Sequence, residues 1–267
     1  MPLSRAGVLG WPVRHSRSPA MHESAYAAVG LEGWRYQLLP VPPDLLADTV
    51  RALPGAGFVG ANVTIPHKEA ALALADQASD TARAIGAANT LTFRDGAIQA
   101  ENTDAPGLLA ALADAGHPPH GARALVLGAG GSARAAVWAL RDAGTEVLVW
   151  NRTAQRARAL ADELGAEAVD AARPAALLVN CTAVGLRPGG DPFAELPLEP
   201  EDLGGYACVV DLAYGPYETR LAAAARAAGC AVVDGIEVLV RQGALSFEHW
   251  TGHEAPLGAM RAAARGA

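Results

Sequence analysis

Apolar positions fall into two kinds of segment along this chain. Short continuous apolar runs at residues 6–9, 124–127, 147–150, 176–179, 208–210 and 231–233 suit strands of a parallel sheet covered on both faces. Between them lie stretches of helical periodicity: 18 to a stop at Gly30, 43–53, 132–143, 154–164 and 219–228. In the first third, residues 35–39 and 58–63 read as further strands, and Pro66 opens the next helix at its first position. Ser79 caps a short helix that stops at Gly86, and 90–93 with 97–101 form a hairpin across Asp95-Gly96. From Asp104 onward the order is a regular βαβ series beginning with a helix at 105–115. A long helix at 236–250 and another at 256–265 finish the chain. The pattern predicts an α/β protein of two lobes: an N-terminal α/β domain over 1–104 and a doubly wound parallel sheet over 105–236. Periodicity alone leaves open whether the last two helices return to the first lobe.

Length and composition narrow the class. At 267 residues, 51% hydrophobic and 18% charged, the chain has the material for one large or two medium cores and does not read as disordered. No apolar run reaches the roughly 18–20 residues that span a bilayer, and the start Met1-Pro2-Leu3-Ser4-Arg5 lacks the features of a signal peptide. A net charge of −7 argues against a nucleic-acid partner. Cys181, Cys208 and Cys230 are odd in number and form no C-x-x-C pair, so they read as reduced thiols of a cytoplasmic protein. Seven scattered histidines show no metal-ligand spacing, and no metal is expected.

One count is more pointed. Of the 21 basic residues, twenty are Arg and one is Lys, Lys68. A surface cation tolerates exchange for Arg, but a proton-exchanging amine does not, because guanidinium keeps its proton at usable pH. Lys68 follows Asn62-Val63-Thr64-Ile65-Pro66-His67 at the predicted start of a helix. The helix dipole there disfavours a cation, so a lysine serving only solubility gains nothing from the place.

The strand at 124–127 runs into Gly128-Ala129-Gly130-Gly131-Ser132-Ala133 and a helix, which is G-x-G-x-x-A in its strand–turn–helix setting. Gly128 permits the tight turn, Gly130 lets the backbone approach a pyrophosphate, and the helix N-terminus offers free N–H groups. This makes the second lobe Rossmann-like. The next strand ends Asn151-Arg152-Thr153, with Arg156 a turn further on. An acidic residue there would accept from a ribose 2′-hydroxyl; two arginines fit a 2′-phosphate instead, so NADP is the expected cofactor.

Other polar clusters end segments of the first lobe. His15-Ser16-Arg17-Ser18-Pro19 sets two hydroxyls before a helix, where a small carboxylate could bind, although Ser18 also reads as a plain N-cap. Asn89-Thr90 and Asn102-Thr103-Asp104 follow, and Asp104 has the same competing reading as an N-cap. Together with Gly10-Trp11-Pro12, the Asn62–Lys68 segment, Gly86-Ala87-Ala88-Asn89-Thr90, the glycine turn, Asn151-Arg152-Thr153, Asn180-Cys181-Thr182, Asp211-Leu212-Ala213-Tyr214 and Gln242-Gly243-Ala244, these clusters resemble the shikimate dehydrogenase family in order and spacing over nearly the whole chain.

The resemblance implies reversible reduction of 3-dehydroshikimate to shikimate by NADPH, on the route to the aromatic amino acids. It implies Lys68 as acid/base with Asp104 beside it. Ser16 and Ser18 would take the substrate carboxylate, and Thr64, Asn89, Asp104, Tyr214 and Gln242 its ring and hydroxyls. It places the cofactor on Gly128, Ala129, Gly130, Gly131, Ser132, Asn151, Arg152, Thr153 and Arg156, with Leu212 and Glu237 near the nicotinamide. It also folds the helices of 237–267 back onto the first domain and gives the chain a small-molecule substrate; a monomer or homodimer is expected, and charge and apolar run length speak against nucleic acid and membrane as partners. Two residues depart from the family pattern. Glu23 stands where Asn is usual after His22, which concerns helix packing, and Glu237 stands where Gly is usual, which could crowd the cofactor. The alternatives are a quinate/shikimate dehydrogenase of broader specificity and a catalytically silent ligand sensor on the same scaffold.

Overall fold

A computed structural model of the chain describes residues 3–187, 189–215 and 217–266. The chain divides into two units, Met1–Gly107 with Leu239–Ala267 and Leu108–Val238. In the first unit lie β1 (Ser4–Gly10), α1 (Ser18–Ala28), β2 (Trp34–Pro40), α2 (Leu46–Ala52), β3 (Gly60–Val63), α3 (Lys68–Ala73), β4 (Gln77–Ala78), α4 (Asp80–Ile85), β5 (Thr90–Arg94) and β6 (Ala97–Glu101). Helix α5 (Asp104–Asp114) begins there and continues into the second unit. The second unit holds β7 (Arg123–Leu127), α6 (Gly131–Asp142), β8 (Glu146–Trp150), α7 (Ala154–Leu164), β9 (Glu167–Ala168), β10 (Leu177–Asn180), α8 (Pro192–Glu195), β11 (Cys208–Asp211), α9 (Arg220–Ala227) and β12 (Ala231–Asp234). Helix α10 (Gly235–Thr251) starts in the second unit and ends in the first, and α11 (Leu257–Gly266) belongs to the first.

The first sheet has the order β2-β1-β3-β5-β6-β4. Strands β2, β1 and β3 are parallel, while the β5–β6 hairpin joins β3 antiparallel. Its turn uses Asp95 and Gly96 at φ 53° and 76°, the left-handed pair that a tight hairpin requires. Leu9, Val50, Ala61, Val63, Leu91 and Ala100 form the core on one face. Helix α11 packs on α1, where the Ser24 hydroxyl donates to Ala259 O, and the Trp250 indole of α10 donates to Leu91 O at 3.1 Å. A Cβ at Gly60 would overlap that indole, so the strand must carry glycine there.

All six strands of the second sheet are parallel, in the order β12-β11-β10-β7-β8-β9. The order reverses between β7 and β10, which puts the end of β7 at the switch point of a doubly wound sheet. Wholly buried strands such as Leu125–Leu127 and Val209–Val210 explain the continuous apolar runs in the sequence, since helices cover both faces.

Local differences from the sequence reading have physical causes. Helix α3 starts at Lys68, so Pro66 is not its first residue; the Ile65–Pro66 peptide is cis and lies in the turn before His67. Ser18 is the first residue of α1 rather than its cap, and the capping position is Arg17, with no side-chain cap. The helix expected over 43–53 is a 3₁₀ turn, Pro43–Leu45, followed by α2. The strand expected from residue 58 pairs continuously only from Gly60, Phe58 making a single bridge to Arg5.

Candidate active site

The loop after β3 and the start of α5 converge on Lys68. Its Nζ donates to Asp104 Oδ2 in an ion pair, with Lys68 only 8% exposed. Asn89, at the entry to β5, donates from Nδ2 to the other Asp104 oxygen at 2.9 Å and to Gln242 Oε1 at 3.0 Å. Asp104 is free for these partners because Asn102 caps α5 in its stead, its Oδ1 accepting from Ala105 N at 3.2 Å. The Gln242 amide is held at its other end by donation to Leu239 O at 2.8 Å. Thus Lys68, Asp104, Asn89 and Gln242 form one connected cluster drawn from α3, α5, β5 and α10.

A second layer of hydrogen bonds supports it. Thr103 N donates to Asn89 Oδ1 at 2.7 Å, and the hydroxyls of Thr90 and Thr103 lie 3.2 Å apart. Asn62 on β3 accepts from the Tyr36 hydroxyl at 2.7 Å and donates to Ser246 Oγ at 2.8 Å. The Tyr36 ring stacks on His22 at 4.3 Å, and His22 is fully buried with Tyr26, Phe247 and Trp250 around it. Neither His22 nitrogen has a hydrogen-bond partner, and burial lowers its pKa to about 3. Sequence reasoning missed Tyr36, Asn62 and Ser246.

The loops after β1 and β3 are tied to each other: Trp11 N donates to Ile65 O and Thr64 N to Leu9 O. Gly10 is required at this seam, since a Cβ there would lie 2.5 Å from Thr64 Cγ2. In the first loop Ser16 and Ser18 hydroxyls are 3.1 Å apart, and Ser18 N donates to Ser16 Oγ at 3.3 Å. Thr64 stands in the same turn as Lys68, its carbonyl accepting from His67 N. Glu23, the first departure from the family pattern, accepts from Tyr36 N at 2.5 Å and so pins β2 to α1.

In the second unit the glycine turn links β7 to α6. Gly128 has φ +117°, its N donates to Trp150 O at 2.7 Å, and a Cβ would meet the Cys181 backbone at 3.2 Å. Gly130 has open space beside it and stands at the capping position of α6, where it offers no side chain to the helix start. Arg152 and Arg156 are exposed beyond β8, and Arg156 Nη2 donates to Ala129 O at 3.3 Å, which draws the arginine against the turn. Asn151 donates to Thr153 O at 3.0 Å. The residues 151–156 include no carboxylate, so the loop suits an anion. The turn and the arginines therefore fit a 2′-phosphorylated dinucleotide.

Leu212 and Tyr214 follow β11 and are half-buried. Asp211 organises their loop: its Oδ1 accepts from Asn180 Nδ2 at 2.8 Å and Ala213 N at 3.2 Å, and its Oδ2 from the Thr219 hydroxyl at 2.5 Å. Burial raises the Asp211 pKa against these bonds. Glu237 lies in the first turn of α10, its N donating to Asp234 Oδ1 at 2.9 Å. Two residues earlier, Gly235 is obligatory because a Cβ would fall 2.5 Å from Leu212 O, a close approach that nothing in the sequence signals. Among the described residues no cluster of metal-ligating side chains occurs, and no helix is long and apolar enough to cross a membrane.

Comparison with known proteins agrees with this arrangement. Three family models match: the shikimate dehydrogenase substrate binding domain over residues 8–91, shikimate / quinate 5-dehydrogenase over 111–181, and the shikimate 5'-dehydrogenase C-terminal domain over 235–265. The chain is 49% identical to shikimate dehydrogenase (NADP(+)) of Thermus thermophilus, covering 98% of this chain and 97% of that one. It is 47% identical to the enzyme of the same name from Paracoccus denitrificans, covering 92% and 90%. A crystal structure of the Thermus thermophilus shikimate 5-dehydrogenase in complex with NADP(H) and shikimate superposes with a TM-score of 0.89, at 47% identity and over 98% of this chain and 99% of that one. This chain belongs to the shikimate dehydrogenase family.

Proposed function

We propose that the chain catalyses the reversible, NADPH-dependent reduction of 3-dehydroshikimate to shikimate, with Lys68 as the acid/base. NADPH, when bound, supplies the hydride. As the substrate carbonyl becomes an alcohol, its oxygen takes a proton from the Lys68 ammonium; in the reverse direction the Lys68 amine removes it. Asp104 holds Lys68 Nζ in place and is itself held by the Asn89 amide, so the amine is oriented before substrate arrives.

The remaining polar groups divide the substrate between them. Ser16 and Ser18 hydroxyls, at the uncapped start of α1, suit its carboxylate. Thr64, Asn89, Gln242 and, from the second unit, Tyr214 suit its ring and hydroxyls. Gly128, Ala129, Gly130, Gly131 and Ser132 would hold the pyrophosphate of the dinucleotide, Asn151, Arg152, Thr153 and Arg156 its adenosine 2′-phosphate, and Leu212 and Glu237 its nicotinamide end. On this reading Met1–Gly107 with Leu239–Ala267 is the substrate unit and Leu108–Val238 the nucleotide unit. The free thiols of Cys208 and Cys230 accord with a reducing cytoplasm, and a monomer or homodimer serves the chemistry equally.

The observation that carries the proposal is the single lysine of the chain, buried and paired with Asp104 inside a cluster of amides. Lys68→Ala tests it. Turnover, followed at the nicotinamide absorbance band with shikimate and NADP, should fall by about 10²–10⁴-fold while calorimetric affinity for shikimate stays within about threefold. Near-normal turnover would refute the role of Lys68. Parallel assays with quinate and with NAD separate this reading from the broader-specificity alternative, and any turnover at all removes the sensor alternative.

A further inference from the structure

We infer that Ser246 is a positioning residue for the amides of Asn89 and Gln242; the inference rests on the reading of those amides as ligands of the substrate ring. The Ser246 hydroxyl is fully buried and is the meeting point of three elements besides its own helix. Asn62 Nδ2 of β3 donates to it at 2.8 Å, and the hydroxyls of Thr90 on β5 and Thr103 before α5 lie 2.8 and 3.3 Å away. Ser246 also reaches back along α10 to Gln242 O at 3.2 Å.

Those two threonines are the groups that hold Asn89. Both hydroxyls reach towards Asn89 Oδ1, at 3.3 Å from Thr90 and 3.2 Å from Thr103, and the two protons of Asn89 Nδ2 are shared among Thr103 Oγ1 at 2.9 Å, Asp104 Oδ1 and Gln242 Oε1. Each hydroxyl has one proton to give. With Ser246 present, Thr90 and Thr103 have a third hydroxyl to share donors and acceptors with, and Asn62 feeds an amide proton into the set. The Tyr36 hydroxyl fixes the Asn62 amide by donating to Oδ1 at 2.7 Å, so the Nδ2 end faces Ser246. Removing the Ser246 hydroxyl takes one partner from Asn62, whose Nδ2 keeps Thr90 Oγ1 and Asn89 O, and one from each threonine, so the two hydroxyls that reach Asn89 Oδ1 are held less tightly.

The backbone of α10 does not need Ser246 to hold its place. A Cβ at Gly107 would lie 2.8 Å from Gln242 N and 3.0 Å from its Cα, so α5 already abuts the helix there. Alanine, a better helix former than serine and without the back-bond to Gln242, would suit the helix equally. The hydroxyl therefore acts on side-chain orientation rather than helix placement, and kinetics can separate the two.

Ser246→Ala in the full chain should raise KM for shikimate about three- to tenfold, with kcat within twofold and KM for NADP unchanged. Ser246→Cys, which keeps a weak donor, should fall between Ala and the parent. Gln242→Ala should raise KM for shikimate by itself, and the double variant Ser246→Ala/Gln242→Ala should lose less than the product of the two single losses. An unchanged KM in Ser246→Ala beside a raised one in Gln242→Ala overturns the inference, as do multiplicative losses in the double variant. An unchanged KM in Gln242→Ala instead overturns the reading of the site on which the inference stands.

Discussion

His22 should make the first unit acid-sensitive well above the pH at which carboxylates titrate. Its ring is fully buried, stacked on Tyr36, and has no hydrogen-bond partner on either nitrogen, so the folded protein keeps it neutral down to about pH 3. In the unfolded chain the same ring takes a proton near pH 6.5. Between these values the unfolded state binds the extra proton, so stability falls as pH falls. From pH 7.5 to pH 5 the loss is RT ln(1 + 10^1.5), about 2 kcal/mol, and below pH 3 it saturates near 5 kcal/mol. His22→Phe fills the same aromatic cage, removes two buried polar atoms without partners, and has no proton to gain. Urea unfolding at pH 5, 6 and 7.5, read by the intrinsic fluorescence of the five tryptophans, of which Trp11, Trp34 and Trp250 lie in the first unit, should show the variant at least as stable as the parent at pH 7.5. Its advantage should grow by about 2 kcal/mol at pH 5. If parent and variant lose stability in parallel across that range, His22 is not buried as a neutral ring and the reasoning fails.

Two further outcomes test the remaining parts of the site. Arg152→Ala should raise KM for NADP by roughly tenfold or more and leave KM for NAD unchanged, since a charge-assisted contact to the 2′-phosphate is absent with NAD; equal effects on both cofactors would remove the arginine from phosphate recognition. Gly107→Ala should lower the unfolding free energy by about 1–3 kcal/mol and raise KM for shikimate, because the added methyl meets the Gln242 backbone; a denaturation midpoint and KM equal to the parent's would show that α5 and α10 have room to part.

How legible the chain is depends on the range of the interaction. The parallel sheet of the second unit, the glycine turn and the arginines after β8 are written locally, in continuous apolar runs and in residues a few positions apart. The Ser79 cap of α4 and the Thr219 cap of α9 are local in the same way, with Ala82 N and Ala222 N donating to them. The solitary Lys68 was legible by composition. What escaped the sequence joins segments far apart: Asn62 and Ser246 are 184 positions apart, and Asn89 and Gln242 153. No window of periodicity contains such a pair. The close approach of Gly235 to Leu212 is equally silent, because a glycine beside an aspartate at a helix start reads as ordinary capping. Pro66 misled for a different reason: a proline before a helical run signals the first turn by statistics, whereas here α3 begins two residues later, at Lys68.

At the two positions where capping competed with chemistry, the residue in question is not the cap. Asp104 would ordinarily close the N-terminus of α5, but Asn102 takes that work, and both Asp104 oxygens are left for Lys68 and Asn89. Ser18 would ordinarily close α1, yet it lies inside the helix, and the capping position falls to Arg17, which makes no side-chain bond. Of the first-turn N–H groups of α1, Ser18 N reaches the Ser16 hydroxyl and none is taken by Arg17, so the helix start lies beside two hydroxyls, which is the electrostatic environment a carboxylate prefers. At Lys68 an arginine would pair with Asp104 and use more donors, and this chain uses arginine at every other basic position. On the proposed mechanism, an arginine there would hold a substrate and never deliver the proton. Lysine at that one place is what a binding role alone leaves unexplained and proton transfer requires.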